Sequence, residues 1–147
     1  MKKNITDPLL AFNKIYKKMD ETYHLYAKKC GISNMELWLF YSLYENNTSY
    51  TQKDFCAEWH YAPQTVNSTL KSLEKRGIIE FSAVPGNRKI KRIILTKNGV
   101  ELIKKFIVPL VCAEQKAFQA MDEAEQEKLL SLTGKYAGCL KNEIDKI

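Results

Sequence analysis

Apolar residues recur at intervals of three and four along most of the chain, the spacing that places them on one face of an α-helix. The first such stretch starts at Asp7 and Pro8, an N-cap followed by a helix-starting proline, and stops at Gly31. Its apolar positions form one long seam: Leu9, Phe12, Tyr16, Met19, Tyr23, Tyr26 and Cys30. A seam of this length at a chain end predicts a helix that packs against a partner, as in a coiled coil.

A second helix is predicted from the capping-box spacing of Ser33 and Glu36, and we expect it to end near Asn46 and Asn47. It carries more apolar residues than a surface helix can expose. We therefore expect these residues in the core: Leu37, Trp38, Phe40, Tyr41, Leu43 and Tyr44.

Two short helices follow in the pattern. Thr51 and Asp54 have the spacing of a helix start, and the helix that they open runs through Trp59. Pro63 opens the next helix, which stops at Gly77. Two short helices joined by a tight turn predict a helix-turn-helix motif.

After Gly77 the pattern changes to short runs rich in β-branched residues, which are typical of strands. These runs lie on either side of Pro85, Gly86 and Asn87, three residues that favour a turn. The apolar residues of the two runs are Ile78, Ile79, Phe81 and Val84, then Ile90, Ile93, Ile94 and Leu95. The segment is predicted to be a β-hairpin, the wing beside the helix-turn-helix.

Two further helices are predicted in the last third of the chain. Thr96 caps the first of them, and Pro109 is expected to bend it because proline lacks an amide hydrogen. Asp122 and Glu125 form a capping box for the second. Its apolar side carries Leu129, Leu132, Tyr136, Leu140 and Ile144. The pattern as a whole predicts a mainly α fold with a small β-hairpin.

Positive charge is concentrated in one part of the chain. Between Tyr61 and Gly99, eight Lys and Arg residues face only two acidic residues, whereas the other residues carry fifteen basic and fifteen acidic side chains. Clustered positive charge attracts phosphates and releases their counterions. Nucleic acid is therefore the first partner that the sequence predicts.

Composition argues against several other classes of protein. The sequence has no run of eighteen apolar residues and no secretory leader, so we expect a soluble, cytoplasmic protein without a membrane partner. Its four cysteines are scattered, which favours reduced thiols over a disulfide framework.

No motif for catalysis or for a cofactor is present, and we expect neither an enzyme nor a bound cofactor. Cys56 and His60 lie four residues apart and offer two metal ligands, with His24 and Cys30 as conceivable others. Four ligands require two helices to converge, so the sequence favours a protein without a metal site.

The stretch APQTVNSTLKSLEKRGII, followed by the basic hairpin and LTKNG, resembles the winged helix-turn-helix of the MarR family of bacterial transcription regulators. The resemblance implies one domain over residues 1–147, with a winged helix-turn-helix module at about 33–99. Residues of about 7–31 and 97–147 would then form dimerisation helices. It also implies a homodimeric, effector-responsive repressor that binds double-stranded DNA at a pseudo-palindromic operator.

The helix after Pro63 has the amphipathic pattern of a recognition helix. Val66, Leu70 and Leu73 share one face and are expected to pack inward. The outward side chains are candidates for contacts with base edges. They are Gln64, Thr65, Asn67, Ser68 and Lys71.

The candidates for contacts with the DNA backbone and the minor groove are the basic residues of the helix end and the wing. They are Lys75, Arg76, Arg88, Lys89, Lys91 and Arg92. Asn87 stands where the family often has an aspartate before the wing arginine, and Arg88 and Lys89 both align with that arginine. The same charges also fit a winged-helix module that binds protein or RNA.

Two further expectations rest on the resemblance. Family members often bind phenolic or amphipathic effectors between the dimer helices and the winged module, which places Tyr23, Trp38 and Tyr41 near such a pocket.

Some members sense oxidants through a thiol near the start of the first helix. Here Cys30 lies at the end of that helix, so a core role is favoured and a thiol-based redox sensor is the alternative.

Overall fold

Seven α-helices, one π-helical segment and a β-hairpin make up residues 6–46 and 49–147, which the computed structural model describes. This confirms the predicted mainly helical fold with a small hairpin. The predicted helix end at Asn47 lies outside the described residues. The elements are α1 (Asp7–Cys30), α2 (Asn34–Asn46), α3 (Gln52–Trp59), α4 (Pro63–Lys75), β1 (Ile79–Val84), β2 (Asn87–Leu95), α5 (Lys97–Leu102), the π-helical segment (Ile103–Ile107), α6 (Val108–Gln119) and α7 (Glu123–Ile144).

Capping residues set most helix starts, as predicted. The Ser33 amide donates to Glu36 Oε2 at 2.8 Å, and the Glu36 amide donates to Ser33 Oγ at 3.1 Å. Capping boxes of the same kind open α3 at Thr51 and α7 at Asp122. Each box satisfies amide groups that the first turn of a helix leaves without a partner.

The predicted N-cap of α1 was wrong by one residue. Thr6, whose backbone is extended, is the N-cap, and Asp7 is the first helical residue. The reason is that the amide of Leu10 donates to the carbonyl of Thr6, so the helical hydrogen bonds begin there. The carboxylate of Asp7 lies in the first turn, where the helix dipole favours a negative charge. At the other end Gly31 adopts the left-handed conformation with φ of 72°, as its predicted stop requires.

The chain divides into two compact units, one ending at Ile107 and one beginning at Val108. The core of the first unit is built mainly from α2, α3, α4, the hairpin and the segment after α5. Its largest fully buried side chains are Phe40, Phe55, Leu37, Leu39, Leu70, Leu73, Ile79 and Ile107. The prediction that Tyr44 is core was wrong, because its side chain lies in the last turn of α2 and is 41% exposed. Leu43 beside it is buried, so the packed face of α2 reaches that turn without including Tyr44.

β1 and β2 form an antiparallel hairpin whose register pairs Ile79 with Leu95 and Ala83 with Lys91. The register then shifts, and Val84 pairs with Asn87. Asn87, predicted as part of the turn, therefore begins β2, and residues 88–90 form an irregularity in the pairing at the tip of the wing.

A short third strand segment, which the sequence pattern did not predict, lies beside β2. Thr51 forms an antiparallel bridge with Arg92, and the amide of Ile93 donates to the carbonyl of Tyr50 at 2.9 Å. The segment ties the start of α3 to the hairpin.

The single helix predicted after Thr96 is interrupted. Thr96 caps α5 as predicted, accepting a hydrogen bond from the amide of Gly99. The π-helical segment then precedes α6, whose first turn contains Pro109. Because proline has no amide hydrogen and crowds the turn before it, the regular helical bonding changes at this place.

The second unit consists of α6 and α7. The side-chain amide of Gln126 donates to the carbonyls of Phe118 and Met121 and so closes the turn between the two helices. Nearly every residue of α7 is exposed in the protomer, including the predicted apolar stripe. Within residues 6–46 and 49–147, no helix has both the length and the apolar character needed to cross a membrane.

Candidate nucleic-acid interface

Helix α4 has two sharply different faces. Val66, Leu70 and Leu73 are at most 1% exposed, as predicted. The five side chains predicted to face outward, namely Gln64, Thr65, Asn67, Ser68 and Lys71, are all exposed. The orientation of the helix therefore agrees with the sequence pattern, and the contacts of these residues with DNA stay a prediction.

Hydrogen bonds along α4 limit what some of these side chains offer a ligand. The Ser68 hydroxyl donates to the carbonyl of Gln64 at 3.1 Å, so it presents its lone pairs outward and acts as an acceptor. Among the described residues, the side chains of Gln64, Asn67 and Lys71 make no hydrogen bond. Their donors and acceptors remain available to a ligand.

The turn between α3 and α4 is fixed by close contacts. The Gln52 side chain donates to the carbonyl of Pro63 at 3.1 Å, and the rings of Phe55 and Tyr61 stack with centroids 5.6 Å apart. His60 ends α3 in the left-handed conformation with φ of 55°. This arrangement holds α4 at a set angle, which a recognition helix requires.

The wing presents its basic residues in two different settings. Arg88, Lys89 and Lys91 are exposed, and the side chain of Asn87 accepts a hydrogen bond from the amide of Lys89 at 3.0 Å. The side-chain oxygen of Asn87 thus orders the backbone of the tip. Arg92 is half-buried in the body of the hairpin, opposite Ser82, so it lies away from the tip.

Arg76 has a partner within the protein that the sequence did not reveal. Its guanidinium pairs with the carboxylate of Glu36, which is only 12% exposed and also caps α2. The pair joins the end of α4 to the start of α2. Lys75 next to it is exposed.

A cleft of about 530 Å³ lies between α3, α4 and the hairpin. We call it the lysine cleft because four lysines line it, including Lys53 on α3, which the sequence pattern did not predict as a site residue. Its lining residues are Thr51, Gln52, Lys53, Cys56, Pro63, Asn67, Lys71, Glu74, Phe81, Lys89, Ile90 and Lys91. The cleft brings predicted residues of the recognition helix and of the wing into one site.

The three residues predicted near an effector pocket also come together. The ring of Trp38 lies 4.9 Å from that of Tyr23 and 5.8 Å from that of Tyr41, measured between centroids. Trp59, which the sequence pattern did not place in this cluster, stacks on Trp38 with centroids 4.7 Å apart and donates its indole N–H to Ser42 Oγ. The cluster joins α1, α2 and α3 through half-buried aromatic rings. A role in effector binding stays a prediction.

The four cysteines lie in different settings. All four cysteines are free thiols. Cys30 is half-buried beside Tyr26, whereas Cys112 and Cys139 are exposed. Within the part of the chain that the structure describes, no three His, Cys, Asp or Glu side chains are arranged to hold a metal ion.

These features define a winged helix-turn-helix: an exposed polar face on the second helix of the motif, beside a basic β-hairpin. Residues 31–90 match the model of the MarR family. No curated protein matches the sequence significantly.

Solved structures of MarR family regulators have the same fold. NMB1585, a MarR family regulator from Neisseria meningitidis, is 17% identical, with a TM-score of 0.80 over 96% of this chain and 99% of that chain. MepR from S. aureus in its DNA-binding conformation is 23% identical, with a TM-score of 0.73 over 92% of this chain and 99% of that chain. The MepR–DNA complex is likewise 23% identical, with a TM-score of 0.70 over 93% and 99% of the two chains.

The predicted resemblance to the MarR family is thereby confirmed. The family model covers the helix-turn-helix and most of the wing, and the fold similarity extends over nearly the whole chain.

Proposed function

We propose that the protein is a transcription regulator that binds duplex DNA in a sequence-specific manner as a homodimer. The observation that carries the proposal is the exposed polar face of α4 beside a wing with three exposed basic residues. The fold supports it, because the similar MepR has been solved in complex with DNA. We further propose that the protein is an effector-responsive repressor.

In this proposal α4 enters the major groove, which is wide enough for an α-helix, and the wing reaches the adjacent minor groove. Gln64 and Asn67 would pair with adenine, since an amide side chain matches its N6 and N7 positions. Ser68 would accept a hydrogen bond from a base, because its own proton is used within α4. Lys75, Arg88, Lys89 and the other basic residues would contact phosphates.

A homodimer has twofold symmetry, so its operator is expected to be pseudo-palindromic. Two recognition helices read the same face of a duplex when the half-sites lie about 34–36 Å apart. The exposed apolar stripe of α7 and the seam of α1 supply apolar surface for pairing.

An effector would act by changing the distance between the two recognition helices. It controls DNA binding only through different affinities for the two arrangements. The cluster of Tyr23, Trp38 and Tyr41 is the proposed place of contact, because it links α1 to the helix-turn-helix through Trp59.

The decisive experiment is selection of bound sites from a random duplex library, followed by titration of the selected site at two salt concentrations. We expect a pseudo-palindromic consensus and an affinity that falls steeply with salt. Absence of duplex binding even at low salt would contradict the proposal and favour a module that binds protein or RNA.

Two variants separate base reading from phosphate contact. Arg88→Ala should weaken binding to all sequences, and the slope of the logarithm of the binding constant against the logarithm of the salt concentration should become shallower by about one unit per lost phosphate contact.

Asn67→Ala should instead relax the preference at one base position, with an expected loss of about 1–3 kcal/mol for the preferred base. A uniform loss across all sites in Asn67→Ala would contradict its assignment as a base reader.

A further inference from the structure

The lysine cleft contains an acidic residue that the proposed function does not use. Glu74 lies on α4, three residues after Lys71 and seven after Asn67, so the three side chains share one face of the helix. All three line the cleft, together with Lys53 of α3 and with Lys89 and Lys91 of the hairpin. One acidic residue and four lysines thus line the same cleft.

Within residues 6–46 and 49–147, none of these five charged groups forms an ion pair with another residue. Lys91 makes only a cation–π contact, with its Nζ 5.9 Å from the centre of the Phe81 ring. The cleft therefore keeps a formal charge of +3, from four lysines and one glutamate. Its charges are free to meet a ligand.

The position of the cleft favours the DNA backbone as that ligand. The cleft opens between α4 and the wing, which in the proposed function enter neighbouring grooves. The element of a duplex that separates a major from a minor groove is a sugar–phosphate strand. That strand would lie across the cleft, with phosphates near the lysines and near the carboxylate of Glu74.

We propose that Glu74 limits the affinity of the protein for DNA. Its carboxylate opposes the phosphates of the strand seated in the lysine cleft, so it weakens binding to every duplex alike. In the unbound protein the same carboxylate reduces repulsion among the four lysines. This inference rests on the proposed function, since it needs the protein to bind duplex DNA.

The chain offers a matched control for this proposal. Glu80 is the only other acidic residue between Tyr61 and Gly99, and its removal changes the net charge by the same amount. It precedes Phe81 in β1, and successive side chains of a strand point to opposite faces. Glu80 is exposed and does not line the cleft.

The test compares Glu74→Gln with Glu80→Gln in titrations of a selected operator and of a random duplex. At about 50 mM salt we expect Glu74→Gln to bind both duplexes roughly three- to tenfold more tightly than the wild type. The gain should shrink as salt is raised, because screening weakens the repulsion that was removed. We expect Glu80→Gln to stay within about twofold of the wild type.

The outcomes distinguish this inference from the proposed function. If the wild type binds no duplex at low salt, both are overturned. If the wild type binds but the two variants have equal affinities, the proposal for Glu74 is wrong and the proposed function stands. A loss of preference at one cytosine in Glu74→Gln would also overturn it, since a glutamate that reads a base accepts from cytosine N4.

Lys53 provides an independent arm of the same test. If the strand is seated in the cleft, Lys53→Ala should weaken binding to both duplexes. The slope of the logarithm of the binding constant against the logarithm of the salt concentration should also become shallower by about one unit. Lys97→Ala, at an exposed lysine outside the cleft, is the control. An unchanged salt dependence in Lys53→Ala would place the strand elsewhere and overturn the proposal.

Discussion

A single buried hydroxyl links α2 to the helix-turn-helix. Ser42 is fully buried and accepts a hydrogen bond from the indole N–H of Trp59 at 2.8 Å. Ser42→Ala leaves that N–H without a partner in a half-buried site, and we expect the free energy of unfolding to fall by about 1–2 kcal/mol. Urea denaturation of the variant measures the change.

The control for this prediction is Ser72→Ala, at an exposed position of α4. Alanine is the better helix former, so the free energy of unfolding should stay within about 0.5 kcal/mol of the wild type. Equal losses in the two variants would show that the indole does not depend on the Ser42 hydroxyl.

Tyr26 makes the stability of the first unit sensitive to alkaline pH. Its hydroxyl donates to the carbonyl of Phe106 at 2.7 Å. Burial, reinforced by a hydrogen bond and an electrostatic interaction with Cys30, raises the pKa of Tyr26 from 10.0 to about 12. The native state therefore holds this proton more tightly than the unfolded chain does.

The stabilising effect of this proton is complete below pH 10.0 and is lost as the pH rises towards about 12. We expect the urea midpoint of the wild type to fall more steeply over this range than that of Tyr26→Phe. Tyr50 also has a raised pKa, because of its burial and its bond to Glu58, and it contributes the same trend to both proteins. If the urea midpoints of the wild type and of Tyr26→Phe change in parallel with pH, the assignment to Tyr26 is contradicted.

At the scale of elements, the start of α5 is packed too closely for any residue larger than glycine. A Cβ atom on Gly99 would lie 2.2 Å from the carbonyl oxygen of Ile78 and 3.0 Å from Cδ2 of Leu95. The carbonyl cannot yield easily, because it accepts a hydrogen bond from the amide of Thr96, while the hydroxyl of Thr96 donates to the neighbouring carbonyl of Gly77. Thr96 and Gly99 of the LTKNG motif thus together allow α5 to pack closely against the start of β1.

We expect Gly99→Ala to lower the free energy of unfolding by about 3 kcal/mol. Helix propensity alone predicts the opposite sign, a gain of up to about 1 kcal/mol. The control is Gly138→Ala in α7, where a Cβ meets nothing within 4 Å and the gain from propensity is expected. Calorimetric melting of both variants decides between close packing and propensity.

How far the sequence predicts an element depends on how local its causes are. The capping pairs Ser33 with Glu36, and Asp122 with Glu125, lie within one turn, and the structure contains both. The bridge between Thr51 and Arg92 spans 41 positions and involves single residues, so no periodic pattern announces it. Pro109 likewise predicts an interruption of the helix, but the sequence pattern does not specify that a π-helical segment precedes it.

The same limit applies to the candidate site. Periodicity alone separated the outward from the buried side of α4 correctly. It could not show that Lys53 lines the cleft with Lys71 and Lys91, because these residues lie on three different elements. Nor could it show that Arg76 pairs with Glu36, forty residues earlier in the chain. The sequence pattern predicts which face of a helix a side chain lies on, whereas its contacts with other elements depend on the tertiary fold.

At the scale of the whole molecule, the proposed homodimer depends on apolar surface that the protomer leaves exposed. On α7, five apolar residues share one face and are 37% to 56% exposed: Leu129, Leu132, Tyr136, Leu140 and Ile144. The seam of α1 likewise exposes Leu9, Phe12, Tyr16 and Met19. Stripes of this length are typical of helices that pack against a second chain.

The prediction for the assembly is that a charge in the α7 stripe separates the protomers. Leu140→Glu places a carboxylate within the stripe, and burying it without a partner is costly. We expect the dissociation constant of the dimer, measured by sedimentation equilibrium, to rise by at least about a hundredfold. Ser131→Glu adds the same charge on the opposite face of α7 and should leave the dimer intact.

On a pseudo-palindromic duplex, Leu140→Glu should then bind each half-site weakly and independently, because the dimer no longer links the two recognition helices. A Leu140→Glu protein that remains as dimeric as Ser131→Glu would show that the protomers meet through another surface.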